Sequence, residues 1–188
     1  MLLRTVLMKQ WAFLLGLFLG WLGVSYGDEP LPREGEPEPI EWVKVGQGTG
    51  HFARIIKLYE GTLYQAPDTA VADVLAARVP FRFEIRYLRK IKRADLVKAG
   101  ETWFPRNLKA GADAAVLGAQ LDTVHGWYSN VGKGDRYELI FTPKEGLVVA
   151  KNGEEVGVIP DAGFARAYLA IWFGDRPCNP ELKKAILP

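Results

Sequence analysis

The chain has 188 residues, enough for one domain with a substantial core. Of its 24 basic residues, Arg4 and Lys9 fall in positions 1–27, where there is no acid; the other 22 meet 22 acidic residues. No basic surplus is left for phosphate contacts, which excludes nucleic acid as a partner class, and the single cysteine, Cys178, excludes an intrachain disulfide and any paired-cysteine zinc or redox site.

Residues 1–27 have the layout of a secretory signal. Arg4 and Lys9 give a positive start, Trp11 to Val24 is an apolar run, and Ser25-Tyr26-Gly27 supplies small residues before a cleavage point. The run is shorter than the ~20 residues a spanning helix needs. The expectation is a periplasmic or secreted protein with no stable membrane span after cleavage, the competing expectation being an uncleaved anchor. No cysteine lies just after the run, so lipid attachment is not supported. Residues 28–41 (DEPLPREGEPEPIE) are rich in Pro and Glu and read as an extended or disordered lead-in. One domain is then expected over 42–188.

From Trp42 to Gln65 two β-rich runs surround a glycine cluster, Gly46-Gln47-Gly48-Thr49-Gly50. With no helix following in a βαβ unit, the cluster is not a dinucleotide loop, and a turn or bulge is expected there. The alternation from His51 to Tyr59 predicts one strand, with His51, Ala53, Ile55, Lys57 and Tyr59 on one face and Phe52, Arg54, Ile56 and Leu58 on the other. Asp68 is the predicted N-cap of a short helix through Ala77. Phe81, Phe83, Ile85 and Tyr87 alternate with Arg82, Glu84 and Arg86, which predicts a half-buried strand with its arginines on a solvated face.

Leu88 to Val124 reads as helical, broken at Pro105, with a second helix from Ala110 to Val124. Its cluster Arg89, Lys90, Lys92 and Arg93 is read as a solvated rim in preference to the mouth of an anion site. Strands follow at Tyr137 to Thr142, Leu147 to Lys151 and Glu155 to Ile159, the last two joined by the hairpin signal Asn152-Gly153. Asp161 is placed to cap a helix from Ala162 to Phe173 that buries Phe164, Ala167, Tyr168, Ile171 and Trp172. Asn179 and Pro180 open a closing helix to Leu187. The order predicts an α+β domain, an antiparallel sheet covered by helices on one side.

Chemistry-bearing motifs are sparse. His51 has no companion at metal-ligand spacing and His125 has only Asp122, three residues before it, too few ligands to specify a site, so neither a metal nor any other cofactor is expected. His125 reads as a structural cap or surface residue. Serine occurs only at Ser25 and Ser129, with no G-x-S-x-G elbow and no P-loop. A strand rich in Tyr and Ile facing apolar helices leaves two readings, a ligand cleft or an ordinary filled core.

Ile55 to Tyr64 (IIKLYEGTLY), Gly134 to Tyr137 with Asn152-Gly153, and Phe164 to Tyr168 with Ile171 to Pro177 and Leu182-Lys183 resemble the chalcone isomerase-like family, in its exported bacterial branch. The resemblance covers roughly Trp42 to Leu187. It implies an open-faced β-sandwich, a long antiparallel sheet with a helical layer and a cleft between them. The family's enzymes close a chalcone with an Arg and a Thr on a strand, a Tyr and an Asn on a helical segment, and a late-helix Ser/Thr. Those positions fall near His51 or Arg54, on Tyr59, near Asp95 or Leu96, near Thr102 or Trp103, and on Ile171. Without the Tyr–Thr pair little preorganised stabilisation of transition-state charge remains. The non-enzymatic branch binds fatty acids through an Arg and a Tyr, a role that suits Tyr59 with Arg54 or His51. The expectation is a monomer that binds a small apolar or amphipathic ligand without catalysis, at His51, Arg54, Tyr59, Lys98, Trp103 and Ile171. The alternatives are an isomerase or lyase of an unsaturated carbonyl compound, and an interaction module with a filled cleft.

Overall fold

The computed structural model describes residues 39–53 and 55–187. The expectations for residues 1–27, for most of 28–41 and for Arg54 therefore lie outside the described residues. Six antiparallel strands form one sheet in chain order: β1 (Val43–Phe52), β2 (Ile56–Gln65), β3 (Phe81–Tyr87), β4 (Arg136–Thr142), β5 (Gly146–Lys151) and β6 (Glu154–Ile159). The helices are α1 (Val71–Leu75), α2 (Arg93–Trp103), α3 (Ala114–Trp127), α4 (Ala162–Phe173) and α5 (Pro180–Ile186), with a 3₁₀ turn at Pro105–Asn107. This is the expected α+β architecture.

The sheet's two faces differ because each strand alternates. On β3, Phe81, Phe83, Ile85 and Tyr87 are buried beneath the helices. Leu63 of β2, Tyr137, Leu139 and Phe141 of β4, and Leu147 and Val149 of β5 join them in one core. The opposite face carries an ionic lattice. Glu138 lies only 3% exposed between Arg82 (2.5 Å) and Arg136 (3.1 Å), and Arg86 pairs with Glu60 at 2.7 Å. Arg82 is thus tied into the sheet rather than merely solvated, because a buried carboxylate needs charged partners.

Helix starts follow their caps. The Asp161 carboxylate accepts from the Gly163 and Phe164 amides and opens α4, and Asn179 accepts from the Leu182 amide and opens α5. Asp113 caps α3, so that helix starts at Ala114 rather than Ala110 and runs on to Trp127. His125 consequently sits inside the last turn of α3, buried, not at the surface. Asp68 caps nothing: it takes a left-handed φ of 56° in the preceding turn, and α1 starts after Ala70 without a side-chain cap.

The largest departure is at the first hairpin. The alternation of residues 51–59 suggested one strand, but Phe52 pairs with Ile56 across a tight turn. Ala53 adopts a left-handed φ of 49°, a conformation that a side chain disfavours and that composition does not announce. The glycine cluster lies within β1, beside a register shift between Lys44 and Gly46. Its glycines leave room for neighbours. A Cβ at Gly46 would overlap the Ile186 carbonyl of α5, and one at Gly50 would overlap the Tyr59 ring.

Candidate ligand-binding site

Between the β1–β2–β3 end of the sheet and helices α2 and α4 lies a cavity of about 900 Å³. Its floor is Tyr59, Ile85, Tyr87, Tyr137 and Leu139 from the sheet. Its roof is Leu96, Ala99 and Trp103 of α2 with Tyr168, Ile171 and Trp172 of α4. Strand register assembles the floor: Tyr59 pairs with Tyr87, and Ile85 with Tyr137. Helical spacing assembles the roof, since Tyr168, Ile171 and Trp172 stand at i, i+3 and i+4 on α4.

Five of the six residues expected from the sequence line this one cavity: His51, Tyr59, Lys98, Trp103 and Ile171. His51 reaches it from the end of β1, so it does not share a strand face with Tyr59. The rim carries cations. Arg89 and Lys90, read from sequence as a solvated rim, are exposed and also line the cavity, along with Lys98 and the acid Asp95. Among the described residues, none of these three cations has a salt-bridge partner. Sequence reasoning preferred the plain rim because a chain with balanced charge gives no hint that β3 delivers Arg89 and Lys90 to a cavity mouth.

Sequence reasoning also missed a cluster of tyrosines. Tyr59, Tyr87, Tyr128, Tyr137 and Tyr168 all line the cavity. The Tyr128 and Tyr168 hydroxyls are hydrogen-bonded to each other. Tyr137 Oη accepts from the Ser129 amide at 3.0 Å. Tyr59 Oη accepts from Trp172 Nε1 at 3.1 Å and lies 3.8 Å from Cys178 Sγ. Rings pack edge to face, Tyr87 on both Tyr59 and Tyr137. The signal that would have found them is the change from Phe to Tyr toward the same end of both strands, Phe81 to Tyr87 on β3 and Phe141 to Tyr137 on β4.

Burial sets the protonation of this wall. It raises the Tyr59, Tyr87 and Tyr168 phenols well above their usual value and pushes Tyr128 up to about 12. Burial likewise pushes the Cys178 thiol up to about 11. These groups stay protonated at neutral pH, so the phenols act as hydrogen-bond donors and Cys178 is no thiolate nucleophile. Among the described residues no three His, Cys, Asp or Glu side chains are grouped to hold a metal ion. Nor is any helix among them long and apolar enough to cross a membrane.

The family model for chalcone isomerase-like proteins matches residues 46–188. The chain belongs to the chalcone isomerase-like family. One solved structure that this family member resembles is a fatty-acid binding protein of Arabidopsis thaliana. The two share 15% sequence identity with a TM-score of 0.62, over 77% of this chain and 86% of that one. At that identity the likeness shows the fold, an open antiparallel sheet with a helical layer. None of the curated proteins compared matches this chalcone isomerase-like chain.

Proposed function

We propose that this protein is an exported, non-catalytic member of its family that holds a small amphipathic ligand between sheet and helices. The observation that carries the reading is the cavity itself. Its 900 Å³ lies in the range of small-molecule sites, its wall is largely apolar and aromatic, and Arg89, Lys90 and Lys98 stand at its rim. An acidic head at those cations with an apolar tail inside satisfies both kinds of surface. The fatty-acid binding of the Arabidopsis protein supports the same ligand class. Against turnover stand the positions carried over from the enzymes, with the phenol of Tyr59 in place of the strand Thr and Ile171, which has no hydroxyl, in place of the late-helix Ser/Thr. The raised phenols and thiol stay protonated near neutral pH and so are not themselves bases there.

Extraction of the chain purified from its native host, followed by mass spectrometry, is expected to yield one acid of this class per protein. An empty protein that refuses lipid probes favours a filled interaction module instead. The non-catalytic part is tested by the loss of chalcone absorbance: no turnover is expected. Turnover that drops about tenfold in Tyr59→Phe, the loss of one modest transition-state contact, contradicts it. Export is tested by N-terminal sequencing of protein from the periplasm or medium, where a start after Gly27 is expected and a start at Met1 contradicts cleavage.

A further inference from the structure

Not every phenolic proton of the cluster meets an acceptor among the described residues. Each tyrosine hydroxyl brings one proton. In the Tyr128–Tyr168 pair one hydroxyl donates to the other, which leaves the acceptor's own proton without a recipient. Tyr137 Oη receives the Ser129 amide proton and passes none on among the described residues. Tyr87 is 6% exposed, and its hydroxyl has no partner among the described residues. Three phenolic protons, from two strands and the helical layer, thus lack an acceptor along one stretch of cavity wall. A buried donor without an acceptor is costly, and an alkyl chain lying against this wall would leave all three in that condition. The Phe-lined end of the same sheet, at Phe81, Phe83 and Phe141, has no such groups. The donors are therefore confined to the part of the core that opens to a ligand.

We infer that the ligand carries a second oxygen function, a carbonyl or hydroxyl set along its apolar part, which accepts hydrogen bonds from Tyr87 and the Tyr128–Tyr137–Tyr168 group. This inference rests on the amphipathic-ligand reading and narrows it from plain fatty acids to oxygenated ones. The acidic head stays at the rim, because Arg89 and Lys90 come just after the Tyr87 end of β3 and line the cavity from exposed positions. The raised phenols remain donors throughout the physiological range, so the recognition needs no change of protonation.

The test is a calorimetric titration of the whole purified chain with hexadecanoic acid and with its keto analogues, the carbonyl moved stepwise along the chain. At least one keto position is expected to bind about tenfold more tightly than hexadecanoic acid, near the upper worth of one neutral hydrogen bond. In Tyr87→Phe that preference should fall to near unity, and hexadecanoic acid should bind at least as tightly as before, because its chain no longer strands the Tyr87 proton. Tyr128→Phe provides a second variant, and a thermal melt of each shows that the fold persists. If hexadecanoic acid and every keto analogue bind equally well, ordered water satisfies the phenols and the inference is overturned. It is equally overturned if hexadecanoic acid itself weakens in Tyr87→Phe, since its carboxylate then occupies the phenols. If no acid binds, the amphipathic-ligand reading itself fails, and this inference with it.

Discussion

The two ends of the buried sheet face are built from the same strands and do opposite things. At one end Phe81 stacks on Phe141 with ring centroids 5.3 Å apart, and Phe83 packs edge-on against Trp172 and Phe173. At the other, Tyr59, Tyr87 and Tyr137 floor a cavity. A phenol differs from a phenyl ring by one oxygen, yet that oxygen needs a partner, and the chain positions phenols where a partner can enter. The closed end secures the fold. The open end is free to be specific.

The largest break in this comparison comes at the closed end. Phe83→Ala is expected to destabilise the protein by roughly 3–5 kcal/mol, measured as a shift in urea midpoint, because it removes a fully buried ring. At the open end Gly50→Ala comes next, at roughly 1–3 kcal/mol, since its Cβ overlaps the Tyr59 ring and must push it aside. The displaced ring also breaks the Trp172–Tyr59 hydrogen bond, which tryptophan fluorescence would register.

A control lies outside both ends. Asp161→Ala should cost about 1 kcal/mol for the lost cap of α4. Hydrogen bonds from Gln120 first, and then from the Phe164 and Gly163 amides, hold the Asp161 carboxyl below its ordinary value. A lowered carboxyl stabilises the fold above its unfolded pKa, and that contribution is lost as pH falls through the folded value. The gap between wild type and variant should therefore be full at neutral pH and close only in strongly acidic solution. A gap that widens on acidification would contradict the cap. The smallest effect returns to the open end: Tyr87→Phe should change stability by less than about 0.5 kcal/mol, because its hydroxyl has no protein partner to lose.

Much of this frame is legible in the residues. Strict alternation in PFRFEIRY shows which β3 side chains face the core, and Asp161 and Asn179 mark their helices because a side-chain acceptor is what an opening turn requires. Asn152-Gly153 makes its turn with left-handed φ values of 54° and 89°, as that dipeptide prefers. The β1–β2 turn is not legible, since Ala53 takes the same left-handed region without Gly or Asn to announce it, and period-two alternation continues straight through. The candidate site is legible in part. Tyr59 and Ile171 follow from the family resemblance, whereas Tyr128 and Tyr168 stand 40 residues apart and meet only through packing of the helical layer. Arg89 and Lys90 likewise look like ordinary surface charge until strand β3 is placed beside the cavity mouth.

The most direct test of the cavity as a ligand site is a titration of the purified chain with hexadecanoic acid, repeated in Ala99→Trp. Ala99 lines the cavity from an exposed position on α2, so the indole can occupy the space without disturbing the closed core. Saturable binding of one molecule per chain, weakened about tenfold or more in the variant, is the predicted result. Absence of saturable binding, or affinity unchanged by the indole in a variant that melts like wild type, would contradict it.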